Sequence, residues 1–435
     1  MKLNINKIIA AIIIMLLYNC DKDNCDYVPT CEPLSENAQN AGLTIVTYHS
    51  SNPNDLVASI YDTRNNISAP IGTDWGISLS SGGKISKPSD WTMGNLGRIF
   101  GIAVDNSSNI YFASSGVYNQ YINSGAGLVP YVNANPGRIY KATAGSSYSI
   151  STLVDLPVTS SVGSLSGIGN IAYDKINNQL FATNLDNGKI YRISMAGSIV
   201  QTYDPFAPDD NTPDITTKQE ERIWAIGVNY EKGKVKVYFP RVTSSTRELY
   251  SLTLNTDGTL PTTPPVKEIE NLSGNQLAIT DIEFSADGKK ILLAERGDPH
   301  SSISFSYNLS NKSWVFYKQY AVGGHSTLYK NPNNSAGGVD FGYRGDDNTS
   351  VKNCEEFVWS TGNLLFANSI TGTPQPYLYG LQGINYSGNI LSTSPSTDLF
   401  IDFDTPNYTW NTGIGKGEIG DVDVIDANGC FCVIK

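Results

Sequence analysis

Apolar residues fall in short, evenly spaced runs separated by turn residues. Arg98-Ile-Phe-Gly-Ile-Ala-Val-Asp105 aligns without gaps on Arg222-Ile-Trp-Ala-Ile-Gly-Val-Asn229. The same frame recurs as Gly167-Ile-Gly-Asn-Ile-Ala-Tyr-Asp174, Ala278-Ile-Thr-Asp-Ile-Glu-Phe-Ser285, Ala336-Gly-Gly-Val-Asp-Phe-Gly342 and Ile419-Gly-Asp-Val-Asp-Val-Ile425. The segments end at residues 105, 174, 229, 285, 342 and 425, so three successive intervals are 55, 56 and 57 residues, and the two long ones carry insertions. Most segments lead through a turn into a second apolar run. Asn106–Asn109 precedes Ile110–Ala113, Asn177-Asn178 precedes Leu180–Ala182, and Asp287-Gly288 precedes Ile291–Ala294. Runs this short, bounded by Gly and Asn that accept positive φ, read as β-hairpins. Further strands are expected at Lys189–Ile193 and Glu248–Leu254.

Four short strands per unit of about 55 residues is the pattern of a β-propeller blade, because a lone four-stranded sheet cannot cover both faces and radial stacking can. The fold class is all-β, a propeller of six blades over residues 41–435, with seven as the alternative count because residues 32–94 are long enough for a blade of their own. Ten residues follow Ile425, enough for one more strand at Cys430–Ile434. The rest of that blade is expected from Leu43–Tyr48 and Leu56–Tyr61, so that pairing of N- and C-terminal strands closes the ring. Gly101-Ile-Ala-Val-Asp-Asn-Ser-Ser-Asn-Ile-Tyr-Phe-Ala113, with Gly137-Arg-Ile-Tyr140, resembles an NHL repeat, and Phe284-Ser-Ala-Asp-Gly-Lys-Lys-Ile291 resembles the hairpin of TolB-type repeats. The resemblance covers most of residues 95–435 and implies the six-bladed propeller superfamily, which also holds the SMP-30/gluconolactonase enzymes. It implies no activity by itself.

Of the 435 residues, 40% are hydrophobic and 16% charged, and the net charge is −11. An aromatic content of 10% argues against disorder, and the negative balance argues against a grip on nucleic acid. Lys2 and Lys7 precede an apolar run, Ile8–Leu17, too short to span a bilayer but suited to a signal peptide. The run ends at Cys20 and is followed by Asp21-Lys22-Asp23. This resembles a bacterial lipoprotein signal of Bacteroidota type. The resemblance implies that residues 1–19 are removed, that Cys20 carries lipid, that residues 20–40 are a tether, and that the protein sits on the outer membrane, exposed at the surface. In an oxidising compartment Cys25 and Cys31 would pair with Cys430 and Cys432 if the chain ends meet.

Chemistry has two candidate seats. One column of the repeat reads Ala103, Ala172, Gly227, Glu283, Asp340, Asp423, and two residues earlier stand Asp281 and Asp421. Crowded carboxylates repel unless a cation or hydrogen bonds relieve them, and oxygen-rich clusters suit Ca²⁺ or another divalent cation; the plain alternative is hydrogen bonding to neighbouring blades. The other seat is the face bearing the b–c and d–a connections, where segments 116–137, 204–220, 297–303, 323–337, 369–377 and 404–418 are long while the a–b turns are minimal. That face is expected to present Tyr118, Tyr121, Tyr131, His300, His325, Tyr329, Tyr377, Tyr408 and Trp410 to a glycan or protein. The acidic stretch Asp209-Asp210-Asn211 reads as a solvated loop, and Arg296-Gly-Asp298 could be exposed after a strand. These features favour a binding or scaffold module, with a metal-dependent hydrolase or lactonase as the alternative.

Overall fold

The computed structural model describes residues 42–425 apart from 51, 64–84, 87, 117, 119–135, 146, 159–166, 207–221, 324, 327–331, 344–353, 368–377, 388–397 and 403–418. Among these residues the chain forms six antiparallel four-stranded sheets, the blades of a six-bladed β-propeller. From the axis outward, strands a to d of blade 2 are Ile99–Val104, Ile110–Ser114, Arg138–Thr143 and Ser149–Asp155. Those of blade 3 are Ile168–Asp174, Gln179–Asn184, Lys189–Ser194 and Ile199–Tyr203; of blade 4, Gly227–Glu231, Lys234–Val242, Arg247–Thr253 and Val266–Ile269. Blade 5 is Ala278–Phe284, Lys290–Arg296, Ser304–Ser310 and Ser313–Tyr320, and blade 6 is Ser335–Tyr343, Cys354–Gly362, Gly380–Asn385 and Leu399–Asp402. Each of the repeated segments supplies an innermost strand.

Blade 1 is composite. Its innermost strand is Ile419–Val424 and its outer three are Leu43–Tyr48, Ala58–Asp62 and Ile85–Ser86. Thr44 faces Val424 and Val46 faces Val422, so the tail pairs directly with the head. The place beside Ile419–Val424 that the sequence suggests for Cys430–Ile434 is therefore taken by Leu43–Tyr48. Residues 426–435, with Cys430 and Cys432, lie outside the described residues, as do Cys20, Cys25 and Cys31.

Packing follows from this radial order. One apolar cluster lies between each pair of neighbouring blades; Trp359 and Phe357 of blade 6 meet Val46 and Tyr61 of blade 1, and Trp91 and Ile60 meet Phe112 of blade 2. A second strand sandwiched on both faces has no polar side, which explains why Ile110–Ser114 and Gln179–Asn184 are buried at every position. The outermost strands face solvent, as Ser149–Asp155 does.

Five innermost strands carry a bulge at one height. Ile99 pairs with Ser114 but Ile102 with Phe112, and comparable slips occur at Ile168/Ile171, Ile279/Asp281, Ser335/Val339 and Ile419/Val422. A bulge frees main-chain N–H groups and re-aims side chains. In three blades a threonine of strand b takes up the freed group: Thr183, Thr361 and Thr47 accept from the N–H groups of Asn170, Gly338 and Asp421 at 3.1, 2.9 and 2.8 Å. The hydroxyls of Thr361 and Thr47 in turn donate to Gly420 O and Phe100 O of the next blade, at 2.9 and 3.0 Å.

Candidate functional site

The bulges aim three polar side chains at the axis from alternate blades: Asp421 of blade 1, Asn170 of blade 3 and Asp281 of blade 5. The blades between them carry Gly101, Ala225 and Gly338 at the same height, and a methyl group on Gly101 would overlap Asn170 Oδ1. Asn170 Nδ2 donates to Thr280 O at 2.8 Å and lies 3.3 Å from Asp281 Oδ1 and 3.4 Å from Asp421 Oδ2. Burial is the main reason that both carboxyls titrate high, with Asp281 pushed up to about 7 and Asp421 raised well above the usual carboxylate range. The negative charge of Asp281 adds to burial in raising Asp421, so ionising one carboxyl disfavours ionising the other.

The same carboxyls tie blades together. Asp281 accepts from Ile282 N at 2.9 Å and, across to blade 6, from Val339 N at 2.8 Å. Asp340 of blade 6 accepts from Phe341 N and, across to blade 1, from Val424 N, both at 2.6 Å. Asp421 of blade 1 accepts from Ile102 N of blade 2 at 3.3 Å. The ties run through blades 5, 6, 1 and 2 and bracket the joint where tail meets head.

Toward the a–b turns the axis is lopsided. Blades 2, 3 and 4 offer Ala103, Ala172 and Gly227, leaving a cavity of about 140 Å³ that Glu283 and Asp423 line from the far side. Glu283 has no hydrogen-bond partner among the described residues. Burial and then the charges of Asp340, Asp281, Asp423 and Asp421 raise its pKa well above the usual value. No group of three His, Cys, Asp or Glu side chains among the described residues has the arrangement of a metal site.

The loop end of the axis is stopped by aromatic rings. Tyr118, expected among exposed loop aromatics, is buried instead, stacked 3.8 Å from Phe100 and donating to Gly169 O at 2.7 Å. Arg296 lies over both rings, at 5.5 and 5.7 Å, and donates to Ile419 O at 2.6 Å and to Ala336 O. The first residue of Arg296-Gly-Asp298 thus points inward, which removes the tripeptide as a surface motif. His300 is half-buried and its Nδ1 pairs with Asn334 Oδ1 at 2.8 Å, joining two loops. His325 lies in a short strand, His325–Ser326, paired with Phe366–Ala367. Tyr121, Tyr131, Tyr329, Tyr377, Tyr408 and Trp410 lie outside the described residues, as does Asp209–Asn211.

Two features escape the sequence reading. Asn170 shares the column of Asp281 and Asp421, which is the signal that could have found it. Arg247 and Glu295 form a buried ion pair at 2.8 Å between blades 4 and 5, with Ser273 O and Leu277 O accepting from the guanidinium and Asn275 N and Ile303 N donating to the carboxylate, while Arg247 Nε has no partner among the described residues; neither residue stands in a repeated polar column.

No family model matches the chain, and no curated protein matches it. Among solved structures it is similar to a Bacteroides uniformis protein provisionally described as a 6-phosphogluconolactonase, at 10% identity over 88% of this chain and 97% of that one, with a TM-score of 0.45. A Bacteroides caccae protein of unknown function is 12% identical over 88% and 98%, with a TM-score of 0.39. A Lactobacillus plantarum protein is 10% identical over 88% and 99%, also at 0.39. Likeness at this level carries no activity across.

Proposed function

We propose that this propeller is a binding or scaffold module, held at the surface of a bacterial outer membrane by lipid on Cys20 and presenting its loop face to a glycan or protein. The observation that supports this reading is the use of the axial carboxyls. Asp281, Asp340 and Asp421 accept main-chain N–H groups of adjoining blades, a structural employment that a hydrolytic metal centre does not require. The hydrolase reading keeps one observation in its favour, Glu283 with its raised pKa and no hydrogen-bond partner among the described residues, beside Asp423 in the cavity.

Metal analysis of the purified protein, with calorimetric screening of glycans on wild type and Glu283→Gln, separates the two. A binding module carries no stoichiometric metal and binds its ligand equally well in both forms. About one equivalent of Ca²⁺ or another divalent cation, lost together with turnover in Glu283→Gln, contradicts it. Anchoring is checked by mass spectrometry of the mature N-terminus, where Cys20→Ser is expected to abolish the lipid adduct and membrane association.

A further inference from the structure

The position of the innermost strands that holds Ala103, Ala172 and Gly227 in blades 2, 3 and 4 holds Glu283, Asp340 and Asp423 in blades 5, 6 and 1. These acids are not employed alike. Asp340 spends both oxygens on main-chain N–H groups, those of Phe341 and Val424, each at 2.6 Å. Glu283 accepts none among the described residues, although its carboxyl is enclosed by the protein and lines the cavity of about 140 Å³. An enclosed polar group with no partner is uncommon in folded proteins. The cavity extends from Glu283 and Asp423 to Asn106 and Ile176 of the a–b turns, both exposed, so it is reached from the end of the axis opposite the loop face.

Charge in the lining is one-sided: Asp105, Asp174, Glu283 and Asp423 stand against a single lysine, Lys175. Asp105 is held in its own turn by Ser107 N and Asn109 N at 2.8 and 3.0 Å, and Asp174 by Ile176 N and Asn177 N at 3.0 and 3.1 Å. These two therefore add negative field at the mouth rather than ligands. Burial, and then the charges of Asp340, Asp281, Asp423 and Asp421, disfavour the ionised form of Glu283, and a cation beside it favours that form again. On the side of blades 2, 3 and 4 the lining is apolar, with Ala103, Ala172 and Val228. A divalent metal takes about six oxygen ligands, more than one uncommitted carboxyl supplies. An alkylammonium ion instead turns three N–H donors to a carboxylate and lays hydrocarbon on an apolar wall. A cavity of ~150 Å³ takes a benzene ring, so an amine of about four or five carbons matches the space.

We propose that this cavity binds a small aliphatic ammonium ion, its nitrogen at Glu283 in the field of Asp423 and its chain along Ala103, Ala172 and Val228. The site lies at the other end of the axis from the loop face and does not depend on what that face binds.

Calorimetric titration of the full chain at constant pH and ionic strength tests it, with n-butylammonium chloride as the probe and n-butanol and calcium chloride as its neutral and metallic counterparts. The ammonium ion is expected to bind saturably at one site, n-butanol to give no saturable heat, and calcium to leave the ammonium affinity unchanged. Glu283→Gln keeps the shape and removes the charge, and is expected to weaken binding about tenfold, the loss of one charge-assisted hydrogen bond. Ala172→Leu leaves every carboxyl in place and fills part of the cavity from the apolar side. It is expected to weaken binding at least as much, and it decides the matter where Glu283→Gln melts early. The proposal is overturned if n-butylammonium gives no saturable heat, which leaves the cavity to water, if n-butanol binds equally well, or if the folded variants bind as wild type does. Calcium that binds stoichiometrically and displaces the ammonium ion overturns it in favour of a metal seat. Loss of glycan binding at the loop face, with ammonium binding intact, counts against the binding reading and not against this site.

Discussion

The raised pKa values of Asp281 and Asp421 give the axis a pH dependence whose sign is fixed. Both groups have native pKa values raised above those of the unfolded chain, about 4. Between pH ~4 and about 7 the folded protein therefore holds more protons than the unfolded one, and this contribution to stability is lost as pH rises through the native pKa. Asp421→Asn keeps an acceptor for Ile102 N and a donor for Asp281 without a titrating proton. Its melting temperature relative to wild type is expected to improve from pH 5 to pH 8, by on the order of 1 kcal/mol in stability; a difference that ignores pH contradicts the raised pKa of Asp421. The Arg247–Glu295 pair gives a second test. Glu295→Ala leaves a buried guanidinium uncompensated and is expected to cost about 3–5 kcal/mol in denaturant unfolding. The carboxylate column was legible in the sequence because acids are conspicuous in apolar runs. Asn170 stands in the same column but is less conspicuous, and its contacts with Asp281 and Asp421, 111 and 251 residues away, are made only by the closed ring.

Strand identity was readable for a local reason: second strands are buried on both faces over most of their length, and the apolar runs of the innermost strands recur in one frame. The bulges were not readable, since pairing register is a relation between two strands and each strand alone keeps its β pattern. Their chemistry is testable through Thr47, whose hydroxyl accepts from Asp421 N and donates to Phe100 O. Thr47→Val preserves shape and strands two buried main-chain groups, so a loss of about 2–4 kcal/mol in unfolding free energy is expected. A loss below ~1 kcal/mol would mean that the main-chain groups find other partners. Elaboration of the connections was only half readable. Long segments do join strands at the loop end, but segments 64–84, 344–353 and 388–397 join strands c–d or a–b at the opposite end. The expected strand Cys430–Ile434 misplaced the joint by one position, because counting strands forward from Ile425 ignores that the head can pair with Ile419–Val424 directly.

A ring of blades keeps its inner strand edges short and protected only while its first and last blades remain engaged. Here, among the described residues, one six-residue strand, Ile419–Val424, supplies the tail's share of blade 1. It is held by the ladder to Leu43–Tyr48, by Asp340 from blade 6, and through Asp421 by blade 2. The carboxyls that could suggest catalysis thus stand where the ring is covalently open. Hydrogen exchange followed by mass spectrometry on peptides spanning residues 419–425, in wild type and Asp421→Ala, tests this joint most directly. In wild type the segment should be protected as strongly as Ile99–Val104, and in Asp421→Ala both segments should lose protection together. A tail segment that exchanges quickly in wild type, or that loosens in the variant while Ile99–Val104 is unaffected, would contradict a ring sealed by its axial acids.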